Sequence, residues 1–242
     1  MGNVMKNLKA SFKDMKWYEW LMAAIMVIIA GRSMVLAFTN PTAGGNPAWL
    51  TIFNFVSAVC GVVCIFFCAK ASISNFAFGI VNTIVYAIYL LYWRIYGTFC
   101  LEILFYLPMN IISWNRWAKY RDQKLPEKTL AKKLTPVQNG MIVGLVAIVT
   151  LITHMILVYV GGTVAWLDAL TVSIGLVATV LEMKRYREQY VWWLVTDVVA
   201  VIMYIVHFDA VYLTKKSIYL IMAFIGLYNW NKLQKSNNPE NN

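Results

Sequence analysis

The chain has 242 residues, 60% of them hydrophobic and 13% charged, with 21 Lys+Arg against 11 Asp+Glu for a net charge of +10. Soluble domains are about 45–50% apolar and about 25% charged, so one soluble core would leave much of this apolar surface in water. The composition excludes a soluble globular enzyme, a disordered tail and a disulfide-stapled secreted domain, and it points to a small all-α membrane protein.

A spanning helix uses about 20 apolar residues, and hydropathy predicts eight transmembrane helices in chain order. The first runs from Tyr18 to Phe38, the second from Trp49 to Ala69, the third from Phe76 to Tyr92 and the fourth from Thr98 to Trp117. The fifth runs from Gly140 to Val160, the sixth from Val164 to Glu182, the seventh from Val191 to Phe208 and the eighth from Leu213 to Trp230. The polar tail from Lys235 to Asn242 is expected to be disordered. Span one is too long and too poorly flanked for a cleaved signal peptide.

Basic residues set the orientation. Lys6, Lys9, Lys13 and Lys16 precede span one, and Lys70 follows span two. Seven more, from Arg116 to Lys133, lie around the segment between spans four and five. Lys184, Arg185 and Arg187 follow span six, and Lys232 and Lys235 follow span eight. These segments alternate, so both termini are expected in the cytoplasm of a multi-pass protein of the cell membrane. Only Arg94 and the pair Lys215 and Lys216 fall on the outer side. A basic chain also fits nucleic-acid binding, but these charges sit where they meet anionic lipid. The lipid bilayer is therefore the expected partner and nucleic acid is not.

A faint internal repeat is present. Spans two to four open with Trp49-Leu50 and close with Ser113-Trp114-Asn115-Arg116-Trp117. Spans six to eight open with Trp166-Leu167 and close with Gly226-Leu227-Tyr228-Asn229-Trp230. Span five separates them, giving an extra N-terminal helix plus a 3+1+3 core of two parallel three-helix repeats. The expected division is 1–48 (N-terminus and extra helix), 49–117 (first repeat), 118–163 (basic loop and connecting helix), 164–233 (second repeat) and 234–242 (tail). Parallel repeats of this kind occur in transporters, with the substrate site between them near the midplane.

Ionisable residues inside spans cost about 2.5–3.5 kcal/mol on insertion scales and need a reason to be there. Glu102 in span four and Asp197 in span seven belong to different repeats, so both are expected to line one central cavity. A packing contact or a carboxyl kept neutral by its surroundings is the other reading. His154 in span five fits a neutral histidine bonded to a neighbouring helix, and Arg32 fits a snorkelling side chain. Glu19, Glu182 and Asp209 lie close enough to an interface to be solvated. Tyr190, Trp193 and Asp197 share one helix face at i, i+3 and i+7. That face fits a flat cationic or heteroaromatic ligand, and it equally fits a packed core. Asn82 and Asn110 fit interhelix hydrogen bonds or the hydroxyls of a sugar. Cys60, Cys64 and Cys68 lie on one apolar stripe without acidic or histidine partners, as expected of small packing residues rather than metal ligands. No catalytic, ATP-binding or metal motif is present, so neither an enzyme nor a cofactor is expected.

These residues resemble the PnuC family of nicotinamide riboside transporters, whose fold is similar to that of the SWEET sugar transporters. Asn75-Phe76-Ala77-Phe78-Gly79-Ile80-Val81-Asn82 resembles the family's Asn-aromatic-x-x-Gly-x-x-Asn stretch. Ser113-Trp114-Asn115-Arg116-Trp117 keeps both tryptophans of Tyr-Gly-Trp-x-x-Trp, with Ser in place of Gly. Tyr190 to Asp197 resembles Trp-x-x-Trp-x-x-x-Asn, with Tyr190 replacing the first Trp and Asp197 the Asn. The resemblance covers about Trp49 to Leu233. It implies facilitated diffusion of nicotinamide riboside, trapped inside by a cytoplasmic kinase, and a trimeric assembly. It also implies that Glu102, Tyr190, Trp193, Asp197, Asn82 and Asn110 bind the substrate. Thiamine and deoxyribonucleosides are carried by related members, and a receptor or assembly subunit is the reading outside this class. Two carboxylates at amide positions imply an anionic site that suits a pyridinium cation. Phosphorylated nucleotides are expected to be rejected, because an anionic site repels phosphate and no helix-buried lysine or arginine is available to pair with it.

Overall fold

Helices form wherever the sequence is apolar for long enough. The computed structural model describes residues 2–40, 47–92, 96–122, 127–159, 165–206 and 210–236. In chain order the helices are α1 (Gly2–Lys13), α2 (Trp17–Thr39), α3 (Ala48–Ala69), α4 (Asn75–Tyr92), α5 (Tyr96–Leu101), α6 (Leu107–Lys119), α7 (Pro136–Tyr159), α8 (Ala165–Met183), α9 (Gln189–Val206) and α10 (Ala210–Ser236). A π-helical stretch, Glu102–Tyr106, joins α5 to α6. Over the described residues, each expected span coincides with helix. Among the described residues, α2, α3, α4 and α7 are long and apolar enough to cross a bilayer. The apolar stretches Ala169–Met183 and Gln189–Ile202 are shorter. Arg94, Asp209 and the tail beyond Ser236 lie outside the described residues, as do most of the loop at 39–48 and the side chain of Asp168.

The polar lead-in is itself a helix. On α1, Leu8 and Phe12 pack against the core of α2, α3 and α10, and Phe12 meets Phe67 edge-on at 5.1 Å. Ser11 is buried and its hydroxyl lies 2.7 Å from that of Ser72 and 3.1 Å from that of Ser74. Glu19 is not solvated as expected. It is fully buried, accepts the Lys16 backbone N–H at 2.7 Å and pairs with Lys70 at 2.6 Å. A carboxylate in the first turn suits the positive end of α2, and the ammonium beside it offsets the charge burial. Lys70 also donates to the Asp14 carbonyl, so α1 is tied to the turn after α3.

That turn has a counterpart after α8. Ala71 (φ 56) and Arg185 (φ 67) are the described non-glycine residues with left-handed backbone, a conformation that disfavours a β-carbon. Both turns are closed the same way. Ala71 N–H donates to Cys68 C=O and Ser72 N–H to Phe67 C=O; Arg185 N–H donates to Glu182 C=O and Tyr186 N–H to Leu181 C=O. The extended segment at 127–132 lies along both. It bonds Ile73 and Ala71 through Glu127 and Thr129, and it exchanges bonds with Arg185 and Arg187 through Lys132. The Arg185 guanidinium sits 3.8 Å above the Tyr120 ring and donates to the Leu130 carbonyl. Burial lowers its pKa from the ordinary value.

The helices pack reciprocally. α3 packs on α4 and α4 on α6, as α8 packs on α9 and α9 on α10; across these sets α3 meets α10 and α6 meets α8. Two fully buried indoles pin the crossing. Trp117 Nε1 donates to the Glu182 carbonyl at 2.9 Å, and Trp230 Nε1 donates to the Cys68 carbonyl at 3.0 Å. The two rings lie 5.3 Å apart. Each tryptophan therefore closes one set of helices onto the first helix of the other.

Candidate substrate cavity

A cavity of about 350 Å³ lies between the two sets of helices. Its walls come from Cys64 of α3, from Gly79, Asn82, Thr83 and Tyr86 of α4, and from Thr179 and Glu182 of α8. Trp193 of α9 and Lys215, Lys216 and Tyr219 of α10 complete one side. Glu102, Tyr106, Met109, Asn110 and Ser113 complete the other.

The π stretch explains how one helix supplies so many of these groups. Pro108 has no N–H and cannot continue a normal α ladder. The Leu107 N–H reaches back five residues to the Glu102 carbonyl instead. The wider turn brings Glu102, Tyr106 and Asn110 onto the cavity wall together, and such bulges favour functional sites. Asn110 is held by its Nδ2–H to the Tyr106 carbonyl at 2.9 Å. It also fills the space left by Gly79, where a β-carbon would lie 2.6 Å from Asn110 Oδ1. Asn82 accepts the Ser57 hydroxyl at 2.9 Å through Oδ1.

Of the six residues expected at the site, Asn82, Glu102, Asn110 and Trp193 line this cavity. Asp197 does not. It is 2% exposed and accepts a hydrogen bond from Lys216 at 3.0 Å, so it reaches the cavity through that lysine. Tyr190 does not line it either. It is fully buried, packs on Trp230 with ring centroids 5.9 Å apart and donates its hydroxyl hydrogen to Cys68 Sγ at 3.4 Å. Its ring occupies the space where Gly226 has no side chain. Tyr190 thus belongs to an aromatic group with Trp117, Trp230 and Phe76. Phe76 connects this group to the cavity, lining it while meeting Trp117 edge-on at 4.8 Å.

Several lining groups were not expected. Lys215 and Lys216 were placed on the outer side, and no helix-buried lysine or arginine was expected. α10 begins at Ala210, so the lysines lie in its second turn and reach the cavity. The expected lack of a basic partner for phosphate is thereby overturned. Glu182, expected in solvent, lines the cavity and accepts the Cys68 S–H at 3.6 Å. Cys64, expected only to pack, is also on the wall. His154 stacks on Trp166 at 3.8 Å with rings 16° from parallel, where a hydrogen bond was expected, and Arg32 is exposed. Among the described residues, no group of His, Cys, Asp and Glu could hold a metal ion.

The family model for the nicotinamide mononucleotide transporter matches residues 51–232, which include every residue of the cavity wall. The chain belongs to this family, the PnuC transporters. A PnuC protein of Neisseria mucosa, named a nicotinamide riboside transporter, is 28% identical over 228 residues, covering 90% of this chain and 83% of the relative. One from Haemophilus influenzae, with the same name, is 29% identical over 194 residues, covering 79% and 83%. A crystal structure described as the vitamin B3 transporter PnuC is similar with a TM-score of 0.73 and 27% identity, covering 93% of this chain and 94% of that one. This PnuC member is a multi-pass membrane transporter, and its relatives are named for transport rather than catalysis.

Proposed function

We propose that this PnuC member imports nicotinamide riboside by uniport. The names of its relatives support the substrate. The observation that carries the reading is the joining of Asn82, Glu102, Asn110 and Trp193 on one cavity wall. At about 350 Å³ the cavity falls within the range of about 300–1,000 Å³ usual for small-molecule sites. Trp193 offers a flat face to the pyridinium ring, with cation–π attraction of about 0.5–2 kcal/mol. Glu102 balances the pyridinium charge, and the two amides serve the ribose hydroxyls. Asp197 acts at one remove by holding Lys216, and Tyr190 supports the wall from behind.

On this reading the helices form an extra N-terminal helix and a 3+1+3 core, eight spans in all with both termini in the cytoplasm. The repeats at 49–117 and 164–233 rock about the cavity to give alternating access. Phosphorylation by a cytoplasmic kinase traps the vitamin, and the protein works as a homo-oligomer. Uptake of radiolabelled nicotinamide riboside into proteoliposomes tests the reading, with thiamine and nucleosides as competitors. Uptake competed best by unlabelled nicotinamide riboside and indifferent to an imposed pH gradient is expected. Absence of uptake, or uptake driven by the pH gradient, refutes uniport.

A further inference from the structure

A second cavity, of about 450 Å³, lies between α7, α8 and the π stretch, and it shares no lining residue with the substrate cavity. Helix spacing builds its walls. Gln138, Ile142, Leu145 and Val149 recur every three or four residues and form one stripe of α7. Val177, Val180 and Leu181 form the facing stripe of α8, and Phe105 of the π stretch supplies the third wall. Leu145 is 45% exposed, so the groove opens sideways. α7 is long and apolar enough to cross a bilayer, where the groove meets acyl chains rather than water. An apolar groove left empty there would forfeit dispersion contacts. Its polar groups all lie at one end. Gln138 is in the first turn of α7, Lys184 directly follows α8, and Tyr186 is two residues further on. Lys133 precedes the lining residue Leu134, and both lysines are exposed. Among the described residues, neither lysine is in an ion pair. The acidic residues close by in sequence are engaged elsewhere. Glu188 accepts the Leu134 N–H at 3.1 Å and pairs with Arg187 at 3.0 Å, and Glu182 lines the substrate cavity.

We propose that this groove binds one anionic phospholipid, with an acyl chain between α7 and α8 and the headgroup phosphate on Lys184 and Lys133. The dimensions fit a lipid. From Gln138 to Val149 the helix rises about 16 Å, about half of a hydrocarbon core about 30 Å thick, so the apolar part is one leaflet deep. The charge fits an anionic headgroup, because basic groups at the mouth of an apolar interhelical groove bind phosphate. A second copy of the chain fits less well. The apolar faces of α2 and α7 hold no exposed carboxylate to meet these lysines, Glu19 being fully buried. The lipid also bears on the substrate cavity from outside. Phe105 and Tyr106 lie with ring centroids 5.3 Å apart, and Tyr106 lines the substrate cavity. A chain seated against Phe105 therefore backs one wall of that cavity.

The test is native mass spectrometry of the purified full-length protein in detergent, titrated with phosphatidylglycerol, with phosphatidylcholine of the same chains, or with inorganic phosphate. One phosphatidylglycerol per chain is expected, held about tenfold more tightly than phosphatidylcholine, with no phosphate retained. Lys184→Gln weakens phosphatidylglycerol binding about fivefold, and adding Lys133→Gln removes the preference over phosphatidylcholine. Leu145→Trp fills the groove and weakens both lipids alike. Thermal melts verify folding, and Leu145→Phe replaces Leu145→Trp if the latter does not fold. Equal retention of the two lipids, or a preference that survives the double lysine variant, overturns the choice of an anionic headgroup. Lipid binding unaffected by filling the groove overturns the site. A change of oligomeric state in Leu145→Trp without loss of lipid gives the groove to a second copy and overturns the proposal. Displacement of the lipid by inorganic phosphate at equal concentration overturns the role of the acyl chain. None of these readouts depends on nicotinamide riboside, so failure here leaves the transporter reading standing.

Discussion

Replacing Asp197 by Asn removes the anion that neutralises Lys216 and leaves its geometry nearly unchanged. The carboxylate is 3% exposed, the ammonium 28%, and they lie 3.0 Å apart. At that distance two unit charges attract by about 5.5 kcal/mol at an effective dielectric of about 20. Desolvation offsets part of this, and the part-exposed lysine regains some hydration when its partner is lost. Breaking a buried pair from one side costs about 3–5 kcal/mol, and exposure of Lys216 puts this case near the lower bound, about 3 kcal/mol. The measurement is denaturant unfolding in detergent micelles, followed by tryptophan fluorescence, for Asp197→Asn, Lys216→Met and the double variant. The expected coupling energy is about 2–3 kcal/mol, with the double variant recovering much of the loss. A coupling below about 0.5 kcal/mol would refute the argument that Asp197 is buried to hold Lys216.

Three further outcomes follow from the packing. Gly226→Ala drives a β-carbon into the Tyr190 ring, and overpacking of this kind costs about 1–3 kcal/mol; Tyr190→Leu in the same chain should restore the melting temperature. Trp230→Phe removes the Nε1 donor to the Cys68 carbonyl and leaves a buried acceptor unpaired. The expected destabilisation is about 1–3 kcal/mol by thermal melt, and an unchanged melting temperature counts against the indole bond as a clasp. Gly79→Ala pushes against Asn110 on the cavity wall. It should weaken nicotinamide riboside binding by about 1 kcal/mol, one lost hydrogen bond, while unfolding shifts by less; equal loss in both would show that the position serves packing alone.

The helices were legible because long apolar runs admit few alternatives, and polar residues inside them stood out as exceptions. Asn82, Glu102 and Asn110 were found this way. The expected contacts of Tyr190 were not, because its environment is set by Gly226 and Trp230, about 40 residues further along the chain. Spacing on one helix places a side chain on a face without saying whether a cavity or another aromatic lies opposite. Lys215 and Lys216 were missed because two charges in the first turn of span eight read as its solvated outer end. The helix begins at Ala210, and burial of Lys216 is compensated by Asp197 on another helix. Glu19 was missed for the same reason, its compensating partner Lys70 being 51 residues away.

The extended segment at 127–132 touches the two turns through main-chain groups. Those bonds need an N–H and a C=O, and almost any side chain can stand beside them. Substitution is therefore freest at the exposed Lys132, whereas Thr129 and Ala131 are buried, and proline at Thr129 or Lys132 would delete a donor. Two sets of helices that must stay in register are thus joined by a tether whose alignment rests on main-chain groups. Divergence can accumulate at its exposed positions while the two ends it aligns keep their spacing.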